Sequence, residues 1–120
     1  MKKKILIIED NEQNMYMLTY LLESNNYDVF QSFTGGEGIS LAGITKPDAI
    51  LLDIQLPEMD GYAVARELRK NDELAMIPII AVTSYAMTGD KEKAFDAGAT
   101  GYIEKPIDPD TFIAQMEAFL

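Results

Sequence analysis

Four short stretches of this chain carry groups that could do chemistry together: the acid pair Glu9-Asp10, the lone Asp53, Thr83, and Lys105 followed by Pro106. If they converge, three carboxylates, a hydroxyl and an ammonium meet at one point. Packed carboxylates repel one another, so such a cluster persists only with raised proton affinity or with a cation. A hard divalent cation is the natural solution, and magnesium tolerates one or two carboxylates while keeping several waters. An aspartate beside such an ion, with a hydroxyl and an ammonium nearby, has the parts of a phosphoryl acceptor. Neighbouring residues of a strand face opposite ways, so Glu9 and Asp10 reach one ion only if the strand has ended, or if the longer Glu9 works through water. A Lys-Pro bond also admits a cis peptide, and one is expected at Lys105-Pro106, turning the ammonium back over the strand ends.

Each of these groups follows a run of buried-strand character. Such runs occupy Lys4–Ile8, Ala49–Leu52, Ile77–Val82 and Gly101–Ile103, with a more alternating one at Tyr27–Gln31. Asp53 closes a run that is apolar on both faces, where a charge is costly unless it caps a turn or serves a site. Helical patterns fill the intervals. The first starts at a cap signal, Asp10 with Gln13 three on, and projects Asn14, Leu18, Leu21 and Leu22 to the core, with Tyr16 and Tyr20 nearly opposite. The second, about Glu37 to Ile44, contains Gly38 and Gly43 and is expected to be the weakest. The third runs from Gly61 to Lys70 behind Asp60, and the fourth from Asp90 to Ala97, closed by Gly98. The fifth starts at Asp108 with Pro109 in its first turn and buries Phe112, Ile113, Met116, Phe119 and Leu120.

Five strands alternating with five helices imply an α/β fold: a parallel sheet doubly wound by helices on both faces. The strand order 2-1-3-4-5 suits it, and ligands then bind beyond the carboxyl ends of strands 1 and 3. The 120 residues fit one domain, spanning 1–120, with no output domain expected in the chain. The net charge of −10 argues against nucleic acid and anionic lipid as partners, leaving proteins and cations. Without His or Cys, a disulfide framework, a thiolate nucleophile and a tight zinc site are ruled out or improbable. No apolar run approaches the length of a signal-peptide core or a membrane span, so a cytoplasmic setting is expected.

At this point the sequence resembles the receiver domain of two-component response regulators, over its whole length. That family carries an acid pair after strand 1, a phosphoacceptor aspartate after strand 3, Thr or Ser after strand 4 and Lys-Pro after strand 5, matched here by Glu9-Asp10, Asp53, Thr83 and Lys105-Pro106. Leu56-Pro57-Glu58-Met59-Asp60-Gly61 is similar to the loop after the phosphoacceptor, and Tyr102 stands at the aromatic switch position. Asp53-Ile54-Gln55-Leu56-Pro57 and Ala86-Met87-Thr88-Gly89-Asp90 resemble single-domain receivers of the DivK type and receivers of hybrid histidine kinases. The resemblance implies in-line attack of Asp53 on a phosphohistidine or an acyl phosphate. Magnesium, with manganese as a substitute, would be held by Asp10, Asp53, the backbone carbonyl of Gln55 and, through water, Glu9. It also implies phosphoryl contacts from Lys105 and Thr83, and a Thr83–Tyr102 switch. The implied partners are a histidine kinase or histidine phosphotransfer protein and a downstream protein target. Receivers of this type offer helix 1 to the donor's helical bundle, which makes Tyr16 and Tyr20 a candidate partner face.

Other classes fit less well. A phosphohydrolase of the haloacid dehalogenase type needs a second Asp two residues past the nucleophile, and Gln55 there is no acid or base, so turnover of an outside substrate is not expected. A flavin phosphate would be repelled by Glu9 and Asp10. A degenerate receiver acting only as a binding module would not keep the whole set. Gly35-Gly36 reads as a turn, since no Gly-Lys-Ser/Thr follows, and Met15, Met17, Met59 and Met87 read as packing or loop residues.

Overall fold

Every residue of strand β3 (Ala49–Asp53) is buried, as is every residue of β4 (Ile79–Thr83) and all of β1 (Lys4–Ile8) after its first residue. Strands apolar on both faces belong to a parallel sheet covered on both sides. In the computed structural model, which describes residues 2–84 and 88–120, with residues 88–90 by backbone alone, these strands join β2 (Asp28–Ser32) and β5 (Gly101–Glu104). The sheet is parallel throughout, in the order β2-β1-β3-β4-β5 expected from the sequence. Its connections carry α1 (Glu12–Ser24), α2 (Gly35–Thr45), α3 (Gly61–Lys70) and α4 (Thr88–Ala97), with α5 (Phe112–Glu117) after β5. All five strands point the same way, so their carboxyl ends gather on one edge, and the order reverses between β1 and β3.

The period of two along each strand divides the core. Leu6, Ile8, Ile50, Leu52, Ile79 and Ala81 face Ala42 of α2, Val64, Ala65 and Leu68 of α3, and Ala94 and Ala97 of α4. Ile5, Ile7, Ala49, Leu51, Ile80, Val82 and Ile103 face Met15, Leu18 and Leu22 of α1 and Phe112 and Met116 of α5. Gly38 belongs to the first layer: a Cβ there would collide with the Ile8 side chain, so the glycine that weakens α2 intrinsically also lets it lie against β1.

Several expected boundaries move, each for a local reason. Asn11, not Asp10, caps α1, its side chain accepting from the Asn14 N–H at 2.9 Å, and Asp10 is left exposed in the turn. Met15 takes the buried place expected of Asn14, which is half-buried. Thr34 caps α2, accepting from Glu37 N–H, so the helix starts at Gly35, two residues before the expected start. Asp60 caps α3 through Ala63 N–H at 2.8 Å. α5 itself begins at Phe112, four residues later than expected, but Asp108 still caps the turn that leads into it: its carboxylate accepts from Asp110 N–H at 2.9 Å and its carbonyl from Thr111 and Phe112 N–H at 3.1 and 2.9 Å. Leu120, expected inside, is exposed. A 3₁₀ turn at Asp72–Leu74 has no counterpart in the expected elements. Met87, and the Ala86–Met87 part of the sequence match that runs on to Asp90, lie outside the described residues.

Because α5 has only six residues, its place depends on the fully buried Phe112 and Met116. Phe112→Ala should cost about 3–5 kcal/mol. Urea unfolding should show a lower midpoint at unchanged slope, and an unaltered midpoint would contradict this packing.

Candidate functional site

The sheet delivers the expected groups to one edge. Asp53 is the last residue of β3 and Thr83 the last of β4, while Glu9 and Lys105 each follow a strand directly. Register ties these ends together: Ile54 N–H donates to Val82 O at 3.1 Å, and Lys105 N–H to Thr83 O at 2.8 Å. Glu9, Asp53 and Thr83 are 1%, 3% and 1% exposed, whereas Asp10 stands at the surface. The Lys105–Pro106 peptide is cis.

Lys105 Nζ lies 3.0 Å from Glu9 Oε1 and 3.4 Å from Asp53 Oδ2, so one ammonium bridges the two buried carboxylates. The closer contact is to Glu9 Oε1, a buried oxygen whose one partner among the described residues is this ammonium. Glu9 Oε2 accepts from Asn11 N–H at 3.2 Å, and Asp53 Oδ1 from Gln55 N–H at 2.9 Å. One oxygen from each of Glu9, Asp10 and Asp53 lies within 4.8 Å of the others, a spacing that could hold a metal ion. A cleft of about 410 Å³ opens beside them, between Asp10 and the Gln55–Leu56–Pro57 turn with Tyr62.

Burial, and then the neighbouring Asp53, push the Glu9 carboxyl up to about 7, with Lys105 acting in the other direction. Burial works against the charge on Lys105, but Glu9 and Asp53 outweigh it and raise its proton affinity. The ammonium is thus held by the cluster that it neutralises.

Tyr102, on β5, is half-buried against the α3–α4 side of the core, with Lys91 Nζ 5.8 Å above its ring. Tyr16 and Tyr20 lie on the outer face of α1, 74% and 63% exposed. One residue was not anticipated. Ser84 donates to Gln55 Oε1 through both its N–H, at 3.2 Å, and its hydroxyl, at 2.8 Å. Because Asp53 pairs with Val82, Gln55 falls opposite Ser84, and its side chain continues the β3–β4 ladder past the last backbone bond. That register is the signal that could have found it.

The response regulator receiver domain family matches residues 5–117. The chain belongs to this family. It is 43% identical to the polar-differentiation response regulator DivK of Brucella anthropi, over 100% of this chain and 98% of that protein. Among solved structures, Vibrio cholerae chemotaxis protein CheY4 superposes with a TM-score of 0.96 at 25% identity, covering 100% of both chains. The receiver domain of sensor histidine kinase PA1611 from Pseudomonas aeruginosa gives 0.91 at 33% identity, over 99% of this chain and 98% of that one. That structure has a magnesium ion coordinated in its active-site cleft. The protein is accordingly a receiver of two-component signalling.

An acid whose folded pKa is raised contributes stability below its unfolded pKa and loses it as pH rises through the folded one. Metal-free receiver should therefore lose stability relative to Glu9→Gln between about pH 4.5 and about 7. Denaturant midpoints of both proteins across that window check this, and a constant difference would contradict it.

Proposed function

We propose that this receiver takes a phosphoryl group on Asp53 from a phosphohistidine or a small acyl phosphate. The observation that carries the reading is the buried Asp53 carboxylate with one oxygen 3.4 Å from Lys105 Nζ and its neighbours Glu9 and Asp10 within 4.8 Å. An Asp53 oxygen attacks phosphorus in line, and the bond to the imidazole or acyl oxygen breaks. Gln55 N–H keeps the carboxylate oriented, Lys105 pairs with the incoming phosphoryl oxygens, and Thr83 donates to another of them.

The donor set suits a divalent cation: oxygens only, clustered carboxylates, and a buried Glu9 oxygen whose one partner among the described residues is Lys105. Asp10, Asp53 and the Gln55 backbone carbonyl would hold magnesium, or manganese in its place, with Glu9 acting through water. The ion, when bound, would supply positive charge against which the acceptor and the phosphoryl oxygens can approach. No turnover of an outside substrate belongs to this reading.

The signal is a population shift in which Thr83 draws toward the phosphoryl group and Tyr102 follows, altering the face of α4, β5 and α5 that a downstream protein reads. The donor is a histidine kinase or histidine phosphotransfer protein in the cytoplasm, and the chain works as one receiver domain.

Incubation with acetyl phosphate and magnesium should add one phosphoryl mass, mapped to Asp53, and Asp53→Asn should abolish it while retaining the fold. Equal modification in chelator, or at another residue, would refute the reading. The exposed Tyr16 and Tyr20, one helical turn apart, are ready anchors for the donor's helices. Tyr16→Ala with Tyr20→Ala should slow transfer from the protein donor about tenfold, or about 1.4 kcal/mol, with the acetyl phosphate rate unchanged. Equal rates from the protein donor would dispose of this face.

A further inference from the structure

Arg69, in the last turn of α3, makes five side-chain hydrogen bonds among the described residues, and nothing in the phosphoryl chemistry uses it. Its Nη1 donates to the carbonyls of Leu74, Ala75 and Ile77 at 3.0, 3.2 and 2.7 Å. Its Nε donates to Gly98 O at 2.9 Å and its Nη2 to Thr100 Oγ1 at 3.1 Å. The same Thr100 oxygen accepts from Ile79 N–H at 3.3 Å. One planar fork thus joins the end of α3, the 3₁₀ turn, the entry to β4, the end of α4 and the entry to β5.

The fit is close as well as polar. Gly98 has φ +118°, and a Cβ on it would lie 2.6 Å from Arg69 Cγ, so the arginine stem rests on the glycine backbone. Its charge faces carbonyls left over at helix ends, where a cation is favoured. A lysine, with a single ammonium, cannot span these segments.

The other end of α3 sits on the acceptor turn, where Gly61 N–H donates to Ile54 O at 2.9 Å. α3 is therefore a strut with Asp53's loop at its head and the foot of α4 at its tail. We infer that Arg69 is the fixed pivot of α4: it pins the helix's C-terminal end, so that α4 answers events at Asp53 by moving its N-terminal end. The direction of that signal rests on the function proposed above; the pin itself does not.

The test is amide hydrogen exchange of the full chain, with and without acetyl phosphate and magnesium, for wild type, Arg69→Lys and Thr100→Val. In the wild type, phosphorylation should change exchange about tenfold in residues 88–93 and less than about twofold in residues 97–100. Arg69→Lys should speed exchange at 97–100 about tenfold before any phosphorylation, let the phosphorylation response spread there, and leave the rate of Asp53 modification within about twofold. Thr100→Val, which removes only the lateral bonds, should speed exchange at 97–100 about threefold and decides the matter if Arg69→Lys does not fold. Comparable changes at both ends of α4 in the wild type, or unaltered 97–100 protection in the variants, would overturn the inference. If the wild type takes no phosphoryl group, the acceptor reading fails instead, while unphosphorylated wild type against the variants still judges the pin.

Discussion

Two carboxylates lie buried side by side in this receiver, and the ammonium of Lys105 sits against both. Removing like charges from water raises their proton affinity, as it does for Glu9, and the cost is tolerable only because a cation is built into the same place. Much of the local backbone serves that arrangement. Gln55 and Asn11 aim N–H groups at the carboxylates, and the end of β5 is tied to β4 so that Lys105 leaves the sheet beside Asp53. The result is an oxygen-rich pocket in which one ammonium answers for two buried carboxylates, with Asp10 beside them.

The parallel sheet explains why so few residues suffice. Each strand ends at the same edge, so Glu9, Asp53 and Lys105 meet without any long loop, and Thr83 closes β4 on that same edge. The same arrangement made the site legible in sequence. Asp53 after four apolar residues, Thr83 after another apolar run and Lys105 before a proline are local signals, and strand order brings them to one edge. Core faces were legible for the same reason, because a period of two in a strand buried on both sides separates the residues meeting α1 and α5 from those meeting α2, α3 and α4.

What escaped the sequence depends on backbone partners. Asp10 and Asn11 are both good caps, and only the observed end of β1 decides between them. Asp108 does cap, as its type suggests, but the residues after it form a turn and the α-helix proper starts only at Phe112. Arg69 looks like any basic residue closing a helix, since the carbonyls that it binds have no sequence signature. The 3₁₀ turn at Asp72–Leu74 is capped by Asn71, whose side chain accepts from Glu73 N–H at 3.0 Å, and Arg69 takes up the Leu74 carbonyl at its end.

The bond between Gln55 and Ser84 gives the seam of β3 and β4 an unusual end. Below it the strands are joined by backbone, which parts only when the sheet itself opens. At the top the closure is one half-buried amide receiving two donors. Rotation of a side chain is far faster than unzipping a strand pair. The β3–β4 seam therefore ends in a closure that one side-chain rotation undoes, which sets the Gln55–Ser84 bond on a faster clock than the strand pair beneath it.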